Sequence, residues 1–416
     1  MHKKSHIKKF LEDMSPNSRK SYLTAMRKYE RFHRMSFDDL IEEALTEQGQ
    51  NLPEHELKLY DRIEDFKEWE MDNYKYNSIK SDLAKIKNIY KRSRVRLPYL
   101  PPLEIKHCKT SPFIEYHEIL SKDEIRKAVK YFQPNFQARI MAMATGGYSL
   151  EETASMTLEQ FIDDLHPYHQ KQDQKEALRY IAEQDNIIWV TKMIRQKTKK
   201  PYYGMVNPET TQLIAKSWLH INLDEYKEKH HKRLERISKE RNWNGIKIPL
   251  FRQTKTYVTG HMGEINDLLD LGTAGDFRRF TPHSLRRYNA THLSGASLSD
   301  EEEMKVRMID ELQGRSMTPT QERYIKTNPV KQKLLYAKVM NNVSLFNTYT
   351  YEIYHGDVIV YRVDPTNENK KLKKENENLK SDLEKYSQSQ NELEKLIKSL
   401  GKDNFQSQLS KLLGEL

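Results

Sequence analysis

Apolar side chains recur at helical spacing from early in the chain. After Ser15-Pro16-Asn17-Ser18, a helix-starting sequence, Tyr22, Leu23, Met26, Tyr29 and Phe32 fall on one face, and Arg19, Lys20, Arg27, Lys28, Arg31 and Arg34 on the other. A second stripe, Leu83, Ile86, Ile89 and Tyr90, follows Asn77-Ser78-Ile79-Lys80 and leaves Lys85, Lys87, Lys91 and Arg92 outside. The spacing predicts a helical domain over residues 1–95. Leu97-Pro98-Tyr99-Leu100-Pro101-Pro102 then sets three prolines within five positions, which no helix accommodates, so residues 96–114 read as an extended linker.

Residues 115–346 read as a second, mainly helical domain. Ser121-Lys122-Asp123-Glu124 is a capping box, Phe136 to Thr145 is a mainly apolar helix, residues 222–245 are a highly charged one, and Thr281 caps a helix running from Pro282 to Leu293. The β-prone segments Asn186 to Val190 and Pro201 to Val206 flank the basic turn Arg195-Gln196-Lys197-Thr198-Lys199-Lys200 and predict a small hairpin that presents lysines. Alternation around His355-Gly356-Asp357 predicts a second hairpin over 347–365. Beyond it, Leu372, Leu379, Tyr386, Leu393 and Leu400 alternate with Asn376, Leu383, Gln390 and Ile397 as a four-heptad seam, so residues 366–416 read as a coiled-coil tail. A buried Asn at a core position favours a parallel pair of strands, hence a dimer through this tail.

Composition sharpens this. Fourteen glycines and fifteen prolines in 416 residues leave room for long helices, and a hydrophobic fraction of 37% against 31% charged residues implies much solvated helix surface. No apolar run spans a bilayer, no secretory h-region follows the basic N-terminus, and the single Cys108 excludes an internal disulfide or a cysteine-rich zinc site. The expected location is cytoplasmic, associated with the nucleoid. The net charge of +10, gathered on helix faces and one turn, points to a polyanion. His166-Pro167-Tyr168-His169 and His230-His231 lack partners at ligand spacing and read as solvated histidines, so no metal or cofactor is expected.

The most informative stretch is Thr281-Pro282-His283-Ser284-Leu285-Arg286-Arg287, followed by Leu312-Gln313-Gly314-Arg315 and, ten residues after the glycine, Tyr324. His283 and Arg286 stand at i and i+3 on one helix. This combination resembles the catalytic segment of the tyrosine recombinase (integrase) family, archaeal-type members included. The turn around Lys197 resembles the family's hairpin lysine, Thr145 to Phe161 its Thr-Gly segment, and the N-terminal basic helices its core-binding domain. The resemblance covers roughly residues 15–345.

It implies a mainly α fold with a small β-hairpin insert, in which a helical core-binding domain and a catalytic domain clamp double-stranded DNA as a tetramer. It also implies a site-specific recombinase that cuts and rejoins DNA through a 3′-phosphotyrosyl intermediate, with the bond energy stored so that resealing needs no cofactor. Tyr324 would be the nucleophile, Arg286 the phosphate clamp, Lys197 the general acid with Lys199 as alternative, and His283 an aid to proton transfer. Arg19, Lys20, Arg27, Lys28, Lys85 and Lys199 would touch DNA. Two positions depart from the family. The window after Thr145 reads Gly146-Gly147-Tyr148-Ser149-Leu150-Glu151-Glu152 and holds no arginine, and Arg139 lies too far upstream to replace it. Arg315 fills the slot where the family has His or Trp, and is expected to restore the missing charge, whose loss would cost roughly two to three orders of magnitude in rate. The rival expectations are a catalytically weakened DNA-binding or architectural protein that dimerises through its coiled coil, and an enzyme that relaxes supercoils by the same chemistry.

Overall fold

The computed structural model describes residues 6–50, 53, 56–195, 200–295, 297–299, 302–303, 306–314, 328–354 and 357–363. Lys197, Lys199, Arg315, Tyr324 and the heptad segment 366–416 lie outside the described residues. The chain forms two compact units, Met1–Ile114 and Glu115–Leu416.

The first unit is helical: α1 (His6–Glu12), α2 (Pro16–His33), α3 (Phe37–Gly49), α4 (Lys58–Asn73) and α5 (Tyr76–Arg92). Ser15 caps α2 by accepting from Ser18 N, and Pro16 takes the first helical position, where its missing N–H is no loss. The apolar face of α2 supplies Met26 and Tyr29 to a core with Phe37, Phe66 and Tyr90, in which the Tyr29 and Phe66 rings meet edge to face at 4.9 Å. Residues 96–114 are extended apart from a 3-10 turn at Ile105–His107, and they are no free connector. Leu97, Leu100, Leu103 and Cys108 pack against this core, and Tyr76 N donates to Lys109 O at 2.8 Å. Prolines prevent helix formation without preventing burial of the leucines between them.

The second unit is also mainly α: α6 (Lys122–Val129), α7 (Pro134–Gly146), α8 (Leu150–Ser155), α9 (Leu158–Asp164), α10 (His166–His169) and α11 (Gln174–Glu183) precede a hairpin of β1 (Trp189–Ile194) and β2 (Pro201–Val206). Then come α12 (Pro208–Lys216), α13 (Leu223–Lys229), α14 (His231–Glu240), α15 (Lys255–Leu268), β3 (Thr273–Ala274), β4 (Phe277–Arg278), α16 (Pro282–Ser294), β5 (Ser297–Ser299), β6 (Glu302–Glu303), α17 (Val306–Leu312), α18 (Pro329–Val339), β7 (Tyr349–Tyr354) and β8 (Asp357–Arg362). The strands pair as four separate two-stranded antiparallel sheets among the described residues.

Helix α7 is the centre of this unit. It buries two faces: Phe136, Ile140, Met143 and Ala144 join one core cluster, Ala138 and Ala142 a second. Strand β1 begins at Trp189 and runs to Ile194, displaced from the expected Asn186 to Val190. Thr191 and Lys192 make the segment look like its end, yet Thr191 faces inward and its hydroxyl accepts from Gln160 Nε2 at 2.8 Å. The charged stretch 222–245 is two helices, α13 and α14, with the break at His230.

Candidate active site

Thr281 caps α16 by accepting from Ser284 N, with Pro282 at the first helical position. His283 in that first turn is exposed, whereas Arg286, one turn on, is 7% exposed. The two share one face of α16, and the segments that pack on Arg286 leave His283 at the exposed rim. Arg286 Nη1 donates to Gly147 O (2.7 Å) and Glu152 Oε2 (2.9 Å), and Nη2 donates to Gln313 O (2.5 Å). One guanidinium thus joins α16 to two segments far from it in sequence, 147–152 and Gln313.

Each of those segments is shaped to meet it. Gly147 ends α7 at φ +67°, and a Cβ there would lie 2.4 Å from Asn289 Oδ1 and 2.9 Å from Gln313 Nε2, so both its conformation and its surroundings require glycine. Ser149 caps α8 in a reciprocal box with Glu152: Glu152 N donates to Ser149 Oγ (3.2 Å), and Ser149 N to Glu152 Oε2 (2.7 Å). The same carboxylate oxygen that caps α8 pairs with Arg286. Asn289 Nδ2 donates to Ala144 O (3.1 Å) and Thr145 O (2.9 Å), satisfying carbonyls at the end of α7, and its Oδ1 accepts from Gln313 Nε2 (2.8 Å).

The β1–β2 hairpin closes one side. Arg195 N donates to Lys200 O (2.9 Å), and Arg195 Nη1 donates to Gly314 O (2.6 Å). Gly314 stands at φ +61° against the Tyr202 ring, and Gly204 leaves room for the Tyr148 ring. Among the described residues, the buried Tyr148 and Tyr202 hydroxyls find no hydrogen-bond partner. Burial pushes both phenols well up. At Tyr202 the neighbouring Glu152 carboxylate adds to this, while the charges of Arg286 and Arg195 work against it.

Of the residues singled out in the sequence, Arg286 and His283 stand on α16, while Tyr324, Lys197, Lys199 and Arg315 lie outside the described residues. The chain leaves toward Lys197 from Arg195 and toward Arg315 from Gly314, and those two departure points are hydrogen-bonded. Arg139 is fully buried elsewhere, donating to Thr153 Oγ1 (3.0 Å), Gln253 O (2.6 Å) and Leu150 O (3.3 Å).

In the first unit, Arg19, Lys20 and Arg27 are exposed on α2. Lys28 and Lys85 correct the expected solvated basic face. Lys28 Nζ donates to Asp82 Oδ2 (2.7 Å) and Glu70 Oε1 (3.2 Å) and lies 3.5 Å from the Tyr74 ring centre, while Lys85 Nζ donates to Asp82 Oδ1 (3.0 Å). Buried carboxylates on α4 and α5 draw both ammonium groups inward. His169 is likewise not solvated: it is 3% exposed, with its ring held between Ile162 O (3.1 Å) and Lys171 N (2.9 Å). No group of three His, Cys, Asp or Glu that could hold a metal occurs among the described residues.

Glu152, Asn289 and Arg195 escape sequence reading. Ser149-x-x-Glu152 is a capping box and signals only a helix start, and Arg195 is one cation in a basic turn. Nothing local distinguishes them.

No family model matches the chain, and a search of curated proteins returns no relative. Among solved structures, the chain is similar to the integrase of the Tn1549 transposon in complex with transposon right-end DNA, at 13% identity and a TM-score of 0.42 over 78% of this chain and 94% of that one. It is similar to the XerH site-specific recombinase bound to its difH substrate, at 11% identity and a TM-score of 0.37 over 74% and 77%. An integrase from mycobacterium phage Brujita aligns at 12% identity and a TM-score of 0.29 over 83% and 92%.

Proposed function

We propose that this chain cuts and rejoins double-stranded DNA as a site-specific recombinase, through a phosphotyrosyl link at Tyr324. The observation that carries the reading is the convergence on Arg286 of residues 147–152 and Gln313, beside Arg195 at the root of the turn that bears Lys197. Arg286, residues 147–152 and Gln313, scattered along the sequence, thereby meet in one place. Attack of the Tyr324 phenolic oxygen on phosphorus forms a P–O bond to tyrosine and breaks the bond to the 5′ oxygen. The phenolic proton passes to His283, and Lys197 delivers a proton to the departing oxygen. Arg286 binds the non-bridging oxygens, and His283 serves proton transfer. Arg19, Lys20 and Arg27 hold DNA phosphates. Two sites per event call for several protomers, which residues 366–416 pre-pair.

A second reading, a DNA-binding protein without chemistry, is favoured by one feature: Glu152 offsets the charge of Arg286 at 2.9 Å. One experiment separates the two. The protein is mixed with a labelled pool of nicked duplexes of randomised sequence, and adduct that survives denaturing detergent is recovered. Recombination chemistry gives adduct with wild type and none with Tyr324→Phe. No adduct from either leaves the binding reading, and adduct from both removes Tyr324 as the nucleophile.

A further inference from the structure

We propose that Arg195 supplies the uncompensated positive charge of the phosphate site, a role that rests on the recombination reading above. Arg286 and Arg195 donate to the carbonyls of consecutive residues, Gln313 O at 2.5 Å and Gly314 O at 2.6 Å. Consecutive Cα atoms lie about 3.8 Å apart across a trans peptide, so the two guanidiniums grip one short piece of backbone. They reach it from different elements, α16 and the residue that follows β1.

The two are not equivalent. Arg286 is paired with Glu152, so the pair presents little net charge to a ligand. Arg195 forms no ion pair with a carboxylate among the described residues, and one of its five donors goes to Gly314 O. When the Tyr324 oxygen bonds to phosphorus and the 5′ oxygen leaves with a proton, phosphorus keeps its oxidation state. The non-bridging oxygens gain negative charge in passing, and a neutral Arg286–Glu152 pair stabilises that charge less than a cation does. The sequence assigns compensation to Arg315. The packing places a cation at the same stretch of backbone without it.

The test compares two versions of the duplex recovered as adduct with wild type, its scissile linkage either a phosphodiester or a methylphosphonate, in which methyl replaces a charged oxygen. Arg195→Ala is expected to slow adduct formation about 100-fold or more on the phosphodiester, and by less than about 5-fold on the methylphosphonate. Arg195→Lys is expected to fall between wild type and Arg195→Ala. The ratio between substrates, taken within one preparation, is insensitive to the folded fraction. Equal losses on both substrates, or no loss, overturn the proposal while leaving recombination intact. The same is true if Arg315→Ala alone shows the substrate-dependent loss. No adduct from wild type on any duplex overturns the recombination reading and this inference with it.

Discussion

Gly314 is held at φ +61° with its α-carbon against the Tyr202 ring, where a Cβ would come within 2.5 Å of ring carbons. Gly260, mid-way along α15, has nothing within 4 Å of the same added atom. The two glycines therefore have opposite expected responses. Gly314→Ala should lower the unfolding free energy by about 1–3 kcal/mol through backbone strain and the displaced ring, and Gly260→Ala should raise it by roughly 0.5–1 kcal/mol. Urea denaturation of the two variants checks both signs, and an unchanged midpoint for Gly314→Ala would show that Tyr202 moves aside freely. At this scale the sequence is legible only in part. The Gln313-Gly314 pair stands out by its spacing to His283-Arg286, but the reason for the glycine lies in a tyrosine on another element.

Between elements, the charge cluster joining α2, α4 and α5 behaves differently from a solvated basic face. Glu70 is fully buried, with Lys28 at 3.2 Å and Asp82 and Lys85 in the same cluster. Burial is the main cause that pushes its carboxyl up to about 7, with Lys28 pulling against it and Asp82 adding to it. Folding therefore favours the protonated form. That contribution to stability is fully present below the unfolded-chain value of about 4.3 and is lost as pH rises through about 7. His33, whose ring burial pulls down, contributes with the opposite slope in wild type and variant alike, so the informative quantity is their difference. Relative to Glu70→Gln, wild type should lose protection of α5 between pH 5 and pH 7.5, read by a deuterium pulse of fixed pH across a urea series. Parallel curves for the two proteins would place the titration elsewhere. The helices themselves were legible from apolar spacing. The inward turn of Lys28 was not, because its partners on α4 and α5 lie far along the chain.

For the whole molecule, the proposed duplex partner makes affinity a matter of phosphate neutralisation, with each contact contributing about −0.9 to the slope of log K against log salt. Arg27, exposed on α2, and Lys28, beside it in sequence, then part company. Arg27→Ala should make the slope shallower by about 0.9, whereas Lys28→Ala should leave the slope unchanged and weaken α2–α5 packing instead. Fluorescence anisotropy on a labelled duplex from 50 to 300 mM salt, values set by roughly the range over which counterion release dominates, checks the pair. Equal slopes for wild type and Arg27→Ala would remove α2 from the DNA-facing surface. Sequence alone determined the mainly helical class, the start of α2 at Ser15-Pro16, the cap and register of α16, and the motif spacing that leads from His283 through Gly314 to Tyr324. These depend on periodicity and on bonds within a turn or two, which local order encodes. Only the tertiary structure decided that Arg286 is neutralised by Glu152, that Arg195 shares its stretch of backbone, and that Lys28 faces inward. A charge is free or committed according to which distant carboxylate or carbonyl the packing brings within about 3 Å, and the linear order of residues does not record that distance.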